Sequence, residues 1–222
     1  MLFRNVNFMI GLILVGLVIF TAILSFFYTP YNPNRMEISA RFLGPSTEHW
    51  FGTDHFGRDI LSRVMKGAIN SITVGIIAVG IGMVLGVLLG MLSGYYGGWL
   101  DETIMRLMDV IYGFPAVLTA VLITSIFGPG IKNSMIAIGI YNIPIFARLT
   151  RGNFLSLKER DYVIAARAVG RGNLAIIWRH ILPNALSPLI IQATVSFATA
   201  ILSEAGLSYL GLGTQPPNPS WG

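Results

Sequence analysis

No cysteine occurs in the chain. Disulfides, thiol nucleophiles and cysteine-based metal sites are therefore excluded. Charge is also scarce: Asp, Glu, Lys and Arg make up 11% of the residues, against about 25% in soluble domains. Familiar catalytic signatures are missing too. There is no G-x-S-x-G, no H-E-x-x-H and no paired-carboxylate arrangement. Lys66, Lys132 and Lys158 all lie outside any G-x-x-x-x-G-K-[ST] context, so the chain has no phosphate-binding loop of its own. What it has in abundance is apolar side chain, 54% of residues, with a mean hydropathy of +0.68. This composition reads as an all-α integral membrane protein whose main solvent is the bilayer. The net charge of +5 does not indicate nucleic acid, because the basic residues fall between apolar runs, as cytoplasmic loops require.

Residues 8–27 contain no charge and are long enough to span a bilayer, which takes about 20 apolar residues. They form an uncleaved first span, and Arg4 before them favours a cytoplasmic N-terminus. Residues 28–68 are polar. Near their end Ile60, Leu61, Val64 and Met65 recur at helical spacing among charges, which predicts a short interfacial helix. Further spans are expected at 69–92, within 103–127 (starting after Asp109), at 135–147 (interrupted by Pro144) and at 186–210. The expected organisation is therefore an N-terminal transmembrane helix (1–27), an extracytoplasmic loop with an interfacial helix (28–68) and a helical core (69–222). Five spans alternate so that 148–183, which holds Arg148, Arg151, Lys158, Arg160, Arg167, Arg171 and Arg179, faces the cytoplasm.

Four features invite a functional reading. Gly82, Gly86 and Gly90 form a doubled G-x-x-x-G, a flat helix face for close backbone approach. It reads first as packing inside the chain's own bundle, with a dimer seam as the alternative. Glu204 is the only acid within an expected span; it reads equally as a solvated carboxylate near the outer interface and as a substrate or ion contact. His49, Asp54, His55 and Asp59 cluster in the first loop, but Asp54 and Asp59 flank Gly57 at a helix start, where capping explains them better than metal.

The fourth is DYVIAARAVGRGNLAIIWRHILP, residues 161–183. Arg160, Arg167 and Arg171 fall on one helical stripe, while Val163, Ala166, Val169 and Gly170 offer a slim opposite face. Gly170 and Gly172 should end the first helix. Asn173 should cap a second, 174–182, which Pro183 stops. Such a hairpin outside the membrane suits docking into a protein groove better than contact with lipid headgroups, since Ala and Gly give little apolar area.

This hairpin resembles the "EAA" loop of ABC-importer permeases, whose pattern is E-A-A, three residues, Gly, nine residues, then I-x-L-P. Ala165, Ala166, Gly170, Leu182 and Pro183 match. Ile164 stands where the family often has Glu, and His180 where it often has Ile. GTDHFGRDILSRVMKGA (52–68) and AILSEAGLSYLGLGTQPPNPSWG (200–222) resemble the C-type subunit of the dipeptide/oligopeptide/nickel permeases. The resemblance implies a polytopic bundle of the binding-protein-dependent importer permease fold, with six spans in full-length members. A P-S-W-G motif like that at 219–222 is followed there by a sixth span, which implies that this chain lacks its C-terminal span.

The resemblance also implies a function: half of a translocation pore for di- or oligopeptides in a bacterial or archaeal cytoplasmic (inner) membrane. Nickel or another small solute is the alternative cargo, and a passive channel or membrane anchor the alternative class. The implied partners are a second permease subunit, two ABC ATPases and an extracytoplasmic solute-binding protein, besides the lipid bilayer. ATP and Mg would sit on the ATPases, with no cofactor on this chain. The coupling residues carried over are Asp161, Tyr162, Ala165, Ala166, Arg167, Gly170, Leu182 and Pro183.

Overall fold

The computed structural model describes residues 6–221. Arg4, on which the expected orientation of the N-terminus rests, and Gly222, the last residue of the P-S-W-G motif, lie outside them. The chain divides into two compact units. One comprises residues up to Thr73 together with those from Thr214 on; the other is Val74–Gly213.

The first unit opens with α1 (Val6–Phe27), apolar on every side and exposed along most of its length. Lipid tolerates such a surface and water does not. The loop that follows is ordered by side chain–backbone bonds rather than by strands. Thr53 Oγ1 donates to the Ala40 carbonyl at 2.5 Å and accepts from the Leu43 N–H at 2.9 Å, and Arg41 Nε donates to the His55 carbonyl at 2.7 Å.

Asp59 caps the start of α2 (Ile60–Tyr96): its Oδ2 accepts from the Ser62 N–H at 2.8 Å and from the Ser62 hydroxyl at 2.7 Å. The expected interfacial helix is not separate: no proline stands between Met65 and Ile69, Gly67 is tolerated within the helix, and the helix runs on. At 37 residues α2 is roughly 55 Å long, well beyond a hydrocarbon core of about 30 Å. The tail lies along its first turns. Trp221 Nε1 donates to the Val64 carbonyl at 2.9 Å and Asn70 Nδ2 to the Pro219 carbonyl at 2.7 Å, and a Cβ on Gly67 would lie 3.0 Å from the Trp221 ring.

The second unit holds residues 74–96 of α2, then α3 (Gly98–Gly113), α4 (Ala116–Phe127), α5 (Ile131–Leu157), α6 (Asp161–Ala168), α7 (Asn173–Ile176), a π-helical turn (Ile177–Ile181) and α8 (Leu182–Tyr209). The expected third span is broken: α3 and α4 meet at 85°. Pro115 is the reason, since a proline forces the residue before it out of helical geometry, and Phe114 is extended at φ −91°, ψ 130°.

The expected fourth span is continuous through Pro144 and longer than expected. It packs against α8, α4 and α3 and carries buried Ser134, Asn142 and Thr150. A helix enclosed by protein has no need of an apolar surface all round, which explains why its hydropathy is modest. Among the described residues, three helices are long and apolar enough to cross a membrane, or four with the bent pair α3–α4 counted as one.

The backbones of α2 and α5 touch along a row of glycines. A Cβ on Gly82 would strike Asn142. One on Gly86 would lie 2.6 Å from the Ile143 carbonyl oxygen and 2.6 Å from Phe146 Cβ. One on Gly90 would strike the Ala147 carbonyl and lie 2.6 Å from Thr150 Cβ, and one on Gly94 would lie 2.7 Å from Phe154 Cβ. The obstacles on Gly86 and Gly90 include backbone, which cannot step aside. Gly86→Leu should lower the stability of the second unit by about 1–3 kcal/mol, the usual cost of overpacking. Gly80→Ala, where a Cβ meets nothing within 4 Å, should not destabilise and should add up to about 1 kcal/mol, the usual helix preference of Ala over Gly. Thermal unfolding in detergent compares the two.

In the first unit, partial burial pushes the Asp54 carboxyl up. The Arg58 and Phe56 N–H donors and the Arg58 guanidinium outweigh this and hold it below its ordinary value of 3.8. A depressed carboxylate contributes stability that is complete above the unfolded value and is lost as pH falls through the folded one. The stability gap between the native chain and Asp54→Asn should therefore stay constant above about pH 5 and close as the pH drops below 3.8. Chemical denaturation across that range measures it.

Candidate functional site: the 161–183 hairpin

Eight residues of α6 separate two very different faces. Val163 and Ala166 are buried and join the core cluster that includes Tyr95, Phe154, Ile176, Ile177 and Ile181. The opposite side carries Asp161, Ile164, Ala165 and Ala168, all exposed. The smallness of Ala166 thus serves packing inside this chain, while Ala165 is free to face a partner. Val169, just beyond the helix, is 77% exposed, and Leu174, at the start of the second limb, is 69% exposed. Ile164, where the family often has Glu, is 51% exposed on the same face of α6 as Ala165 and Ala168. Tyr162 and Trp178 are also exposed.

The turn is built by Gly170. Its N–H donates to the Arg167 carbonyl at 2.9 Å, and the Arg171 N–H donates to the Ala166 carbonyl at 3.1 Å. This pair of bonds closes a helix through a residue in the left-handed region, and Gly170 has φ +76°. A Cβ there would meet nothing within 4 Å. The glycine is required by backbone geometry, with no close approach at its own position.

The second limb departs from expectation. Gly172, not Asn173, precedes the helix, and Asn173 is its first residue. Pro183 does not stop it. The helix continues from Asn173 to Tyr209 by way of the π turn, in which the Leu182 N–H reaches back to the Ile177 carbonyl. Pro183 then occupies the opening of α8, where a missing N–H is tolerated. The second limb and α8 are one rod.

Beneath the hairpin, Tyr95 of α2 is buried. Its hydroxyl donates to Asn173 Oδ1 at 2.8 Å, and the Arg167 guanidinium lies 5.6 Å from its ring centre. Arg167 places its guanidinium over the chain's own aromatic ring while remaining exposed, as Arg160 and Arg171 are. Arg151 grips Asp101 with two bonds of 2.5 and 2.6 Å, Ser93 also donates to Asp101, and Lys158 Nζ donates to the Gly94 carbonyl at 3.1 Å. Sequence reasoning missed Tyr95. Its signal was GYYGG at 94–98, two tyrosines between glycines at the end of an apolar run.

Glu204 lies elsewhere, in α8. It is 1% exposed, so it is not a solvated carboxylate, and it accepts from the Ser208 hydroxyl at 2.5 Å. In the first loop, His49 Nδ1 pairs with Asp59 Oδ1 at 2.9 Å. Asp54 accepts from the Phe56 and Arg58 N–H groups and pairs with Arg58 Nε at 2.7 Å. Among the described residues no three of His, Asp and Glu converge as metal ligands would.

A family model described as "binding-protein-dependent transport system inner membrane component" matches residues 82–222, a stretch that contains the glycine row and the whole hairpin. The chain belongs to this family. It is a multi-pass permease component of an ABC importer. It is similar to the dipeptide transport system permease protein DppC of Alkalihalophilus pseudofirmus, with 47% identity over 99% of this chain and 72% of that one. It is also similar to the glutathione transport system permease protein GsiD of Escherichia coli O157:H7, with 46% identity over 96% of this chain and 71% of that one.

Among solved structures, the permease fold matches a chain of the MetNI methionine ABC transporter in two crystal forms with inward-facing conformations. The TM-scores are 0.58 and 0.59 at 20% identity. The matches cover 68% and 67% of this chain and 76% and 74% of that one.

Gly170→Val should disorder the hairpin, because a branched side chain in the left-handed region costs about 1–2 kcal/mol. Gly170→Asn should be milder, since Asn tolerates that region. Amide hydrogen exchange over 161–176 would show faster exchange in the first variant than in the second.

Proposed function

We propose that this permease forms half of the pore of a peptide importer and is driven through the 161–183 hairpin by a separate ATPase. The observation that carries the proposal is the exposed apolar surface of Ile164, Ala165, Ala168, Val169 and Leu174 on a hairpin whose other face is locked into its own core. Burial of such a surface by a partner is favourable in proportion to its apolar area. The basic residues of 148–183 support a cytoplasmic position for the hairpin and, with it, a cytoplasmic N-terminus. In that orientation the surface faces the compartment where ATP is hydrolysed.

The permease acts with a second permease subunit, two ATPases and an extracytoplasmic solute-binding protein. ATP and Mg belong to the ATPases; this chain works by moving its helices. Closure of the ATPases displaces the hairpins, and the spans exchange inward for outward access. A peptide as cargo is supported over nickel by relatives at 46–47% identity named for dipeptide and glutathione.

The test is capture of the ATPase by the assembled permease. Val169→Asp and Leu174→Asp alter exposed positions, so the chain should remain in the membrane at its normal level. Each should reduce the ATPase that co-purifies by about tenfold or more, as loss of a central apolar contact does. Undiminished capture in both would rule out docking through this surface.

A further inference from the structure

The geometry points to Tyr95 as a positioning residue, the pin that makes α2 move with the hairpin. This rests on the docking reading above and adds where the motion goes. Both limbs of the hairpin hold the same side chain: α6 through the Arg167 guanidinium over the ring, and α7 through Asn173 Oδ1, which accepts from the hydroxyl. Tyr95 is 8% exposed. A buried phenol has to place its O–H on a partner, and the partner here is the first residue of the second limb. A Phe would fill the same space, so the hydroxyl is what ties the limb to α2.

From Tyr95 the path is stiff. It is the last residue but one of α2. The residue before it, Gly94, lies against Phe154 of α5 and accepts from Lys158, and Gly90, Gly86 and Gly82 continue the contact along α5. Helices in backbone contact cannot slide independently, because interiors so closely packed are not continuously deformable. A push on the hairpin therefore reaches α2 through this hydrogen bond and ring, alongside the buried contacts of Val163 and Ala166 in the core cluster that holds Phe154 of α5.

The experiment uses the assembled importer in liposomes. The chain has no native cysteine, so spin labels can be placed on Leu92→Cys and Arg171→Cys, both exposed, and their separation measured before and after trapping with ATP and vanadate. With Tyr95 and Asn173 intact the separation should not change. In Tyr95→Phe, and independently in Asn173→Ala, trapping should shift it by more than about 2 Å, the upper range of helix shifts at interfaces. ATPase capture by both variants should remain at the native level. Cargo accumulated per ATP, read with a labelled dipeptide, should fall about fivefold, the worth of one hydrogen bond.

A separation that changes on trapping in the unsubstituted chain would overturn the inference. So would one that stays constant in both variants. If the unsubstituted chain captures no ATPase, the docking reading fails first and this inference with it. If capture holds and the distances do not behave as stated, only the pin is lost.

Discussion

Close approach of α2 and α5 is the constraint on which the second unit depends. Apolar burial cannot draw two helices together in lipid, where the surroundings are as apolar as leucine, so association depends on packing and on a few polar bonds. Gly82, Gly86, Gly90 and Gly94 supply the packing by removing the α2 side chains where Asn142, Phe146, Thr150 and Phe154 of α5 come closest. The polar bonds follow from the short distance. Only with Gly94 against Phe154 can Lys158 reach the Gly94 carbonyl. The Arg151–Asp101 pair fastens α3 to the same end of α5.

This rigid base gives the hairpin its character. A short helix of eight residues is not stable by itself in water. Here Val163 and Ala166 anchor α6 to the core, the closure at Gly170 ends it, and the π turn delivers the second limb into α8 without a joint. The result is a fixed apolar surface outside the core of the unit rather than a flexible loop. A permease that takes its energy from another protein needs such a surface. Force can be received only where the receiving element is ordered before contact, and it is passed on only where the element is bonded to something that crosses the membrane.

Much of this was legible in the residues, for definite reasons. Uncharged runs, glycines four apart and the Ala165–Ala166–Gly170–Leu182–Pro183 spacing are local patterns, and each has a local physical cause. Three long apolar helices, the flat helix face and the hairpin turn could therefore be placed before any fold was known, whereas the third expected span is bent by 85° and the fourth is not among the described helices apolar enough to cross a membrane. What could not be placed depended on neighbours. Pro144 and Pro183 have the same local preference, to break a helix, yet neither does. α5 is enclosed by other helices, and a π turn precedes Pro183. Ala165 and Ala166 are alike in sequence, but the rotation of α6 buries one and exposes the other.

By itself the sequence determined the solvent, the class and the family: charge is too sparse for water, apolar runs are long enough for a bilayer, and the motif spacing is that of importer permeases. Only the tertiary structure decided which face of the hairpin is available, that Glu204 is buried and that Tyr95 of α2 is bonded to the hairpin. Those facts are distances between residues remote in the chain, such as Tyr95 and Asn173. Spacing along a sequence carries no information about such pairs until packing brings them together.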